Sequence, residues 1–155
     1  LGRIHATTDY AALAGCDLIV EAVFEDPKVK AEVTAKVEAA VGADCIFATN
    51  TSTLPISGLA TASTRPDQFI GIHFFSPVDK MMLVEIIRGK ATGDVAVAKA
   101  LAHNRTLTTL EMEANRWKGP ACKPFASSLK TNDTLTRLSL AGNSLSSLSM
   151  NWNRW

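Results

Sequence analysis

Several features that mark specialised classes of protein are scarce in this sequence. Its 155 residues carry 16 basic and 15 acidic side chains, a net charge of +1, which gives no electrostatic reason to expect a nucleic acid or an acidic membrane as partner. No hydrophobic run approaches the roughly 20 residues that a transmembrane helix needs. The opening LGRIHATTDY has no signal-peptide hydrophobic segment and no initiator methionine, and we expect the chain to be part of a longer protein.

Cysteine is also sparse, since Cys16, Cys45 and Cys122 are the only three. They are too few and too widely spaced for a disulfide framework or a zinc site. We therefore expect reduced thiols in an intracellular protein, without a preference among cytoplasm, mitochondrion and peroxisome. The composition, 46% hydrophobic and 20% charged, is that of a globular chain.

The first hundred residues alternate between strand and helix patterns. Apolar segments at 17–24, 45–50, 69–75 and 82–89 predict four strands, and short connections between them favour a mostly parallel α/β sheet. Between the first two strands, Asp26 and Pro27 predict a helix start, with Gly42 as a stop. The apolar stripe of that helix is predicted at Val29, Val33, Val37, Ala40 and Val41.

The pattern changes near residue 103, where a repeat begins. NRTLTTLEMEAN starts at Asn104 and NDTLTRLSLAGN starts at Asn132, an offset of 28 residues. Both fit L-x-x-L-x-L-x-x-N, a pattern typical of leucine-rich repeats. The pattern predicts that the leucines point into a shared solenoid core and that the tail offers a surface for a protein partner.

Polar residues lie near the ends of the predicted strands. Glu25 follows the first strand, residues 50–52 follow the second, His73 lies near the end of the third and Glu85 lies in the fourth. Ligands of open α/β sheets bind at the carboxyl ends of the strands, which makes one shared crevice a reasonable expectation. His73 is either a packed core histidine or a general base oriented by an acid. No second His or Cys stands at ligand spacing, so we expect no metal.

Four ordered blocks carry a resemblance to a known family. DLIVEAVFEDPKVK, IFATNTSTLPIS, RPDQFIGIHFFSPV and MLVEIIRG resemble the NAD-binding domain of L-3-hydroxyacyl-CoA dehydrogenases, closest to the form in multifunctional β-oxidation proteins. The resemblance runs from residue 1 to about residue 102. It implies an NAD-dependent oxidoreductase that converts a 3-hydroxyacyl-CoA to a 3-oxoacyl-CoA in fatty acid metabolism.

The resemblance also implies roles for particular residues. His73 matches the catalytic histidine, Glu85 the acid that pairs with it, and Ser52 a serine that contacts substrate and cofactor. Ser76 stands where many members carry an asparagine that touches both ligands. The positions implied to lie along or contact NAD are Val23, Phe24, Glu25, Lys30, Ser52 and Ser76.

Other parts of the family pattern are absent from these 155 residues. There is no G-x-G-x-x-G phosphate loop, and neither the later catalytic asparagine nor the helical second domain has a counterpart. We therefore expect the isolated chain to bind NAD poorly or not at all.

These observations predict a partial Rossmann-type, doubly wound, mostly parallel α/β sheet over residues 1–102. A short leucine-rich-repeat-like α/β segment of about two repeats is predicted over 103–155. The alternative function is a leucine-rich-repeat interaction module fused to an inactive dehydrogenase relic. A third interpretation is that the two segments are not a natural fusion, which transcript sequencing across residues 98–108 would decide.

Overall fold

The computed structural model describes residues 2, 4–78, 80, 81, 83–102, 109–111, 127, 129, 135 and 137–139. Its strands are β1 (Leu18–Glu21), β2 (Ile46–Thr49), β3 (Phe69–Phe74), β4 (Val84–Ile87), β5 (Thr109–Glu111) and β6 (Arg137–Ser139). The α-helices are α1 (Pro27–Ala40), α2 (Ile56–Leu59) and α3 (Asp94–Ala102). Short 3₁₀ turns cover Tyr10–Leu13, Ala60–Ala62 and Pro66–Gln68.

The main sheet has the order β1-β2-β3-β4 and is mostly parallel, as predicted. β1 pairs with β2 and β2 with β3 in parallel, and helices lie in both connections. β4 runs antiparallel to β3, and the described residues of the link between them, over 75–83, include no helix to carry the chain back across the sheet. The predicted Rossmann-type architecture is therefore confirmed for this sheet.

Side chains alternate between the two faces of the central strands, and each face has its own core. Ile46, Ala48, Ile70 and Ile72 pack with α3 on one face, whereas Phe47 and Phe69 pack with α1 and α2 on the other. The helices thus cover the sheet on both sides, which is the doubly wound arrangement.

Helix α1 begins as predicted and packs most of its predicted stripe into the core, with Val37 buried and Val33 and Val41 against it. The Asp26 carboxylate accepts hydrogen bonds from the N–H groups of the first turn, and Pro27 is the first helical residue. The predicted core residue Val29 is exposed, however, and its neighbour Lys30 is buried. The apolar pattern was wrong at this position because the ammonium group of Lys30 finds acidic partners inside the fold, described below.

The first strand is shorter and more exposed than the apolar run 17–24 predicted. β1 ends at Glu21, and Val20 is 41% exposed because β1 lies at the end of the sheet. Among the described residues no strand pairs with the outer edge of β1. An edge strand has one uncovered side, so its apolar residues remain partly accessible.

Three leucines of the tail pack into the core between α3 and the main sheet. Leu129 and Leu135 are buried in the same core as α3, with Leu138 packed against it. The leucine pattern predicted that Leu135 and Leu138 point into a solenoid core; in the structure they pack with α3 and the main sheet. The repeat residues Leu107, Met112, Asn115, Leu140 and Asn143, and Cys122, lie outside the described residues.

Two further predictions concern thiols and membranes. Cys16 and Cys45 are free, and burial raises the pKa of the Cys45 thiol. Over the residues that the structure describes, no helix is long and apolar enough to cross a membrane.

Candidate active site

His73 and Glu85 form a pair across two antiparallel strands. They are direct partners in the register of β3 and β4, which brings their side chains to the same face of the sheet. The Nδ1 atom of His73 lies 2.8 Å from Oε2 of Glu85. An ionised carboxylate only accepts hydrogen bonds, so the pair holds the proton of a neutral imidazole on Nδ1. The other nitrogen, Nε2, is then a proton acceptor.

The surroundings of His73 are partly apolar. Its side chain is 18% exposed and that of Glu85 is 50% exposed. The ring of Phe75 lies beside the imidazole, with 4.6 Å between the ring centroids. The imidazole is therefore held between a carboxylate and an aromatic ring while remaining accessible to a ligand.

A buried lysine ties together the carboxyl ends of β1 and β2. Nζ of Lys30 lies 2.9 Å from Glu21 Oε1, 3.5 Å from Glu25 Oε2 and 2.9 Å from the backbone oxygen of Asn50. The second oxygen of Glu21 accepts a hydrogen bond of 2.7 Å from the Thr49 hydroxyl. Glu21 thus lies at the end of β1 and has both a cation and a hydroxyl group as partners.

Glu25 fixes the loop that follows β2. Its Oε1 atom accepts hydrogen bonds from the Thr51 hydroxyl and from the backbone N–H groups of Ser52 and Thr53. Burial opposes ionisation, but these hydrogen bonds and the charge of Lys30 outweigh it and lower the pKa of Glu25 from its usual value. The structure thus connects three of the residues predicted to bind the cofactor, namely Glu25, Lys30 and Ser52.

The remaining predicted contacts lie along the same edge. Val23 and Phe24 follow β1, and Phe24 is 80% exposed. Ser76 is exposed beyond the end of β3. Among the described residues no hydrogen bond joins Ser52 to His73.

Sequence reasoning missed how Asn50 acts. Its Oδ1 atom accepts a hydrogen bond of 3.2 Å from the backbone N–H of Phe74, which joins the end of β2 to the end of β3. An asparagine after a strand signals a turn, and this long-range contact has no local signature. Within the part of the chain that the structure describes, no three His, Cys, Asp or Glu side chains form a group that could hold a metal.

A mostly parallel, doubly covered sheet with polar residues at its carboxyl edge is a nucleotide-binding fold of the Rossmann type. The protein-family model described as the NAD binding domain of 3-hydroxyacyl-CoA dehydrogenase matches residues 1–113 of this chain. The chain therefore belongs to the 3-hydroxyacyl-CoA dehydrogenase family, within its NAD-binding domain.

Solved structures agree with this assignment. The (S)-3-hydroxybutyryl-CoA dehydrogenase PaaH1 from Ralstonia eutropha is 40% identical over 68% of this chain and 38% of its own, with a TM-score of 0.65. The dehydrogenase part of multifunctional enzyme 1 from C. elegans is 35% identical over 88% of this chain and 25% of its own, with a TM-score of 0.59. The chain thus spans well under half the length of the structures that it resembles.

Proposed function

We propose that this chain carries the catalytic histidine and part of the NAD site of an NAD-dependent (S)-3-hydroxyacyl-CoA dehydrogenase of fatty acid β-oxidation. The observation that carries the proposal is the pair of His73 and Glu85, 2.8 Å apart at the carboxyl edge of the sheet. Membership of the 3-hydroxyacyl-CoA dehydrogenase family supports the choice of reaction. The substrate is an acyl-CoA whose third carbon carries a hydroxyl group.

The pair suits His73 to the role of general base. Nε2 accepts the proton of the 3-hydroxyl group as the alcohol becomes a ketone, and Glu85 holds the ring and stabilises the imidazolium that forms. The chemistry that NAD would supply when bound is acceptance of the hydride from the third carbon. The partly apolar setting beside Phe75 favours a close approach of the substrate to the ring. We assign Ser52 to contact with the reacting oxygen and the cofactor.

The residues present fit one part of NAD better than the whole. Val23 and Phe24 offer accessible apolar surface along the edge where such sheets bind nucleotides, which suits the flat face of a nicotinamide ring. Glu25, Lys30, Ser52 and Ser76 complete the group of residues that we assign to cofactor contact. Lys30 would act mainly through its neighbours, since its side chain is 2% exposed.

The test is turnover by the natural full-length protein that contains this chain. We expect His73→Ala to lower kcat for the reduction of acetoacetyl-CoA by NADH by about 10²–10⁴-fold, the usual contribution of general acid–base catalysis, since the base of the oxidation is the acid of the reverse reaction. His5→Ala, which removes an exposed histidine elsewhere in the chain, is the matched control. Equal rates for the two variants would contradict the assignment of His73, whereas no turnover even by the wild type would favour the alternative that the dehydrogenase part is an inactive relic.

We also propose that residues 103–155 are leucine-rich-repeat-like and bind a protein partner. β5 and β6 pair in parallel with Leu110 opposite Leu138, a separation of 28 residues that equals the offset of the sequence repeat. Equivalent strands of successive repeats pair in this way in leucine-rich repeats. This register supports the proposed repeat. That the repeat binds a protein partner is a further step of the proposal.

The repeat has its own test. We expect slow amide hydrogen exchange at one of Leu110 and Leu138, since in a parallel pair only one of two opposed residues donates its N–H to the other strand. Residues 103–155, retained within the full-length protein, should also be required for capture of a partner. Rapid exchange at both leucines, or capture that survives deletion of the tail, would contradict the proposal.

A further inference from the structure

Asn50 lies where β2 stops and β3 continues. The last parallel pair of these two strands is Thr49 with Gly71, whereas β3 runs on to Phe74. Beyond that pair, β4 provides the strand pairing of His73 and Phe74 on one side. On the other side the Asn50 side chain accepts the N–H of Phe74 at 3.2 Å. The side chain therefore supplies the acceptor that the β2 backbone no longer provides.

The backbone of Asn50 is itself held firmly. Its N–H donates to the backbone oxygen of Glu21 at 2.7 Å, and its own oxygen accepts from Nζ of Lys30 at 2.9 Å. Both partner side chains are buried, at 1% exposure for Glu21 and 2% for Lys30. Asn50 is thus held by β1 and α1, and its side chain in turn fixes the end of β3.

We propose that Asn50 is a positioning residue for His73. It holds the end of β3 in place, so that the imidazole stays opposite Glu85 and within hydrogen-bond distance of it. The inference rests on the proposed role of His73 as general base. A strand paired along a single edge is free to shift, and a displacement of about 1 Å in a catalytic group can lower the rate by about 10²-fold.

The test compares Asn50→Ala with a variant that also loses a side-chain hydrogen bond to β3, but at the opposite end of the strand. The Thr92 hydroxyl donates to the backbone oxygen of Phe69 at 2.7 Å, so Thr92→Val removes a side-chain hydrogen bond from β3 away from His73. We expect Asn50→Ala to lower kcat about 10- to 10²-fold with a smaller change in KM. Asn50→Asp keeps the acceptor and should restore most of the rate. Thr92→Val should keep a kcat close to that of the wild type, even where it lowers the melting temperature.

A second measurement does not depend on activity. Asn50→Ala should accelerate hydrogen exchange at the Phe74 amide, and neither Asn50→Asp nor Thr92→Val should do so. Where Asn50→Ala does not accumulate as folded protein, Asn50→Ser replaces it, because the shorter side chain does not span the gap. The same kcat in the Asn50 and Thr92 variants, or unchanged exchange at Phe74, would overturn the proposal. Full activity of His73→Ala would instead overturn the proposed function, leaving the exchange measurement as the test of Asn50.

Discussion

Replacing Lys30 by methionine would test the buried cluster that supports the site. Methionine keeps the length and apolar character of the side chain but removes the ammonium group. Glu21, at 1% exposure, would then remain as a buried carboxylate without its cation. We expect a large loss in the free energy of unfolding, because an uncompensated buried charge is costly.

The contacts of Glu21 set the size of the effect. Removal of one partner of a buried ion pair costs about 3–5 kcal/mol. The carboxylate would keep two hydrogen bonds of 2.7 Å, from the Thr49 hydroxyl and the Val23 N–H, which favours the lower end of this range. We therefore expect Lys30→Met to cost about 3 kcal/mol. Glu21→Gln combined with Lys30→Met should cost less than Lys30→Met alone, since no buried charge is left unpaired.

Urea unfolding followed by circular dichroism measures these differences. Lys28→Met is the matched control, because Lys28 lies on the same helix and is exposed, and it should change stability by less than about 0.5 kcal/mol. Equal stability of the Lys30 and Lys28 variants would refute the reasoning, as would a double variant less stable than Lys30→Met.

Three further predictions concern packing, acid stability and cofactor binding. Gly71→Ala should cost about 1–3 kcal/mol in thermal unfolding, because a Cβ there would lie 2.6 Å from Ile56 Cδ1, whereas Gly58→Ala, with nothing within 4 Å, should not destabilise. Burial opposes ionisation of Glu38, but hydrogen bonds from Ser63 and Thr64 lower its pKa from the usual value. The stabilisation by Glu38 is therefore fully present above the usual pKa of a glutamate and is lost as the pH falls through the lowered pKa, and Glu38→Gln should flatten the acid limb of a stability–pH curve. Calorimetry should detect no tight binding of NAD to the isolated 155-residue chain, which has no G-x-G-x-x-G loop, and tight binding would contradict our account of the site.

Local sequence signals predicted local structure well. The start of α1 at Asp26 and Pro27 was predicted correctly, because a cap and a first-turn proline act through neighbouring backbone groups. The contribution of Lys30 was not predictable in the same way. Its burial depends on Glu21 and Asn50, which lie 9 and 20 residues away in sequence and meet it only in the folded sheet.

The candidate site also contains both contacts that the sequence predicted and contacts that only the folded sheet produces. The family resemblance implied that Glu85 pairs with His73, and the antiparallel register explains how residues 12 apart come to lie opposite each other. The hydrogen bond from Phe74 to Asn50 forms because β3 extends beyond the end of β2, and a hydrophobic pattern does not show how far two strands stay paired. In the tail, Leu135 was assigned correctly to a core but to the wrong one, since periodicity does not say which apolar surface a leucine covers.

Chemical rescue of His73→Ala by imidazole tests the central claim most directly. If His73 removes the hydroxyl proton, free imidazole should restore saturable oxidation of 3-hydroxybutyryl-CoA in the folded full-length variant. The restored rate should rise with the basicity of substituted imidazoles, as expected for a general base. The His5→Ala control should show no such response. A folded His73→Ala protein that no imidazole rescues, or that needs no rescue, would contradict the account.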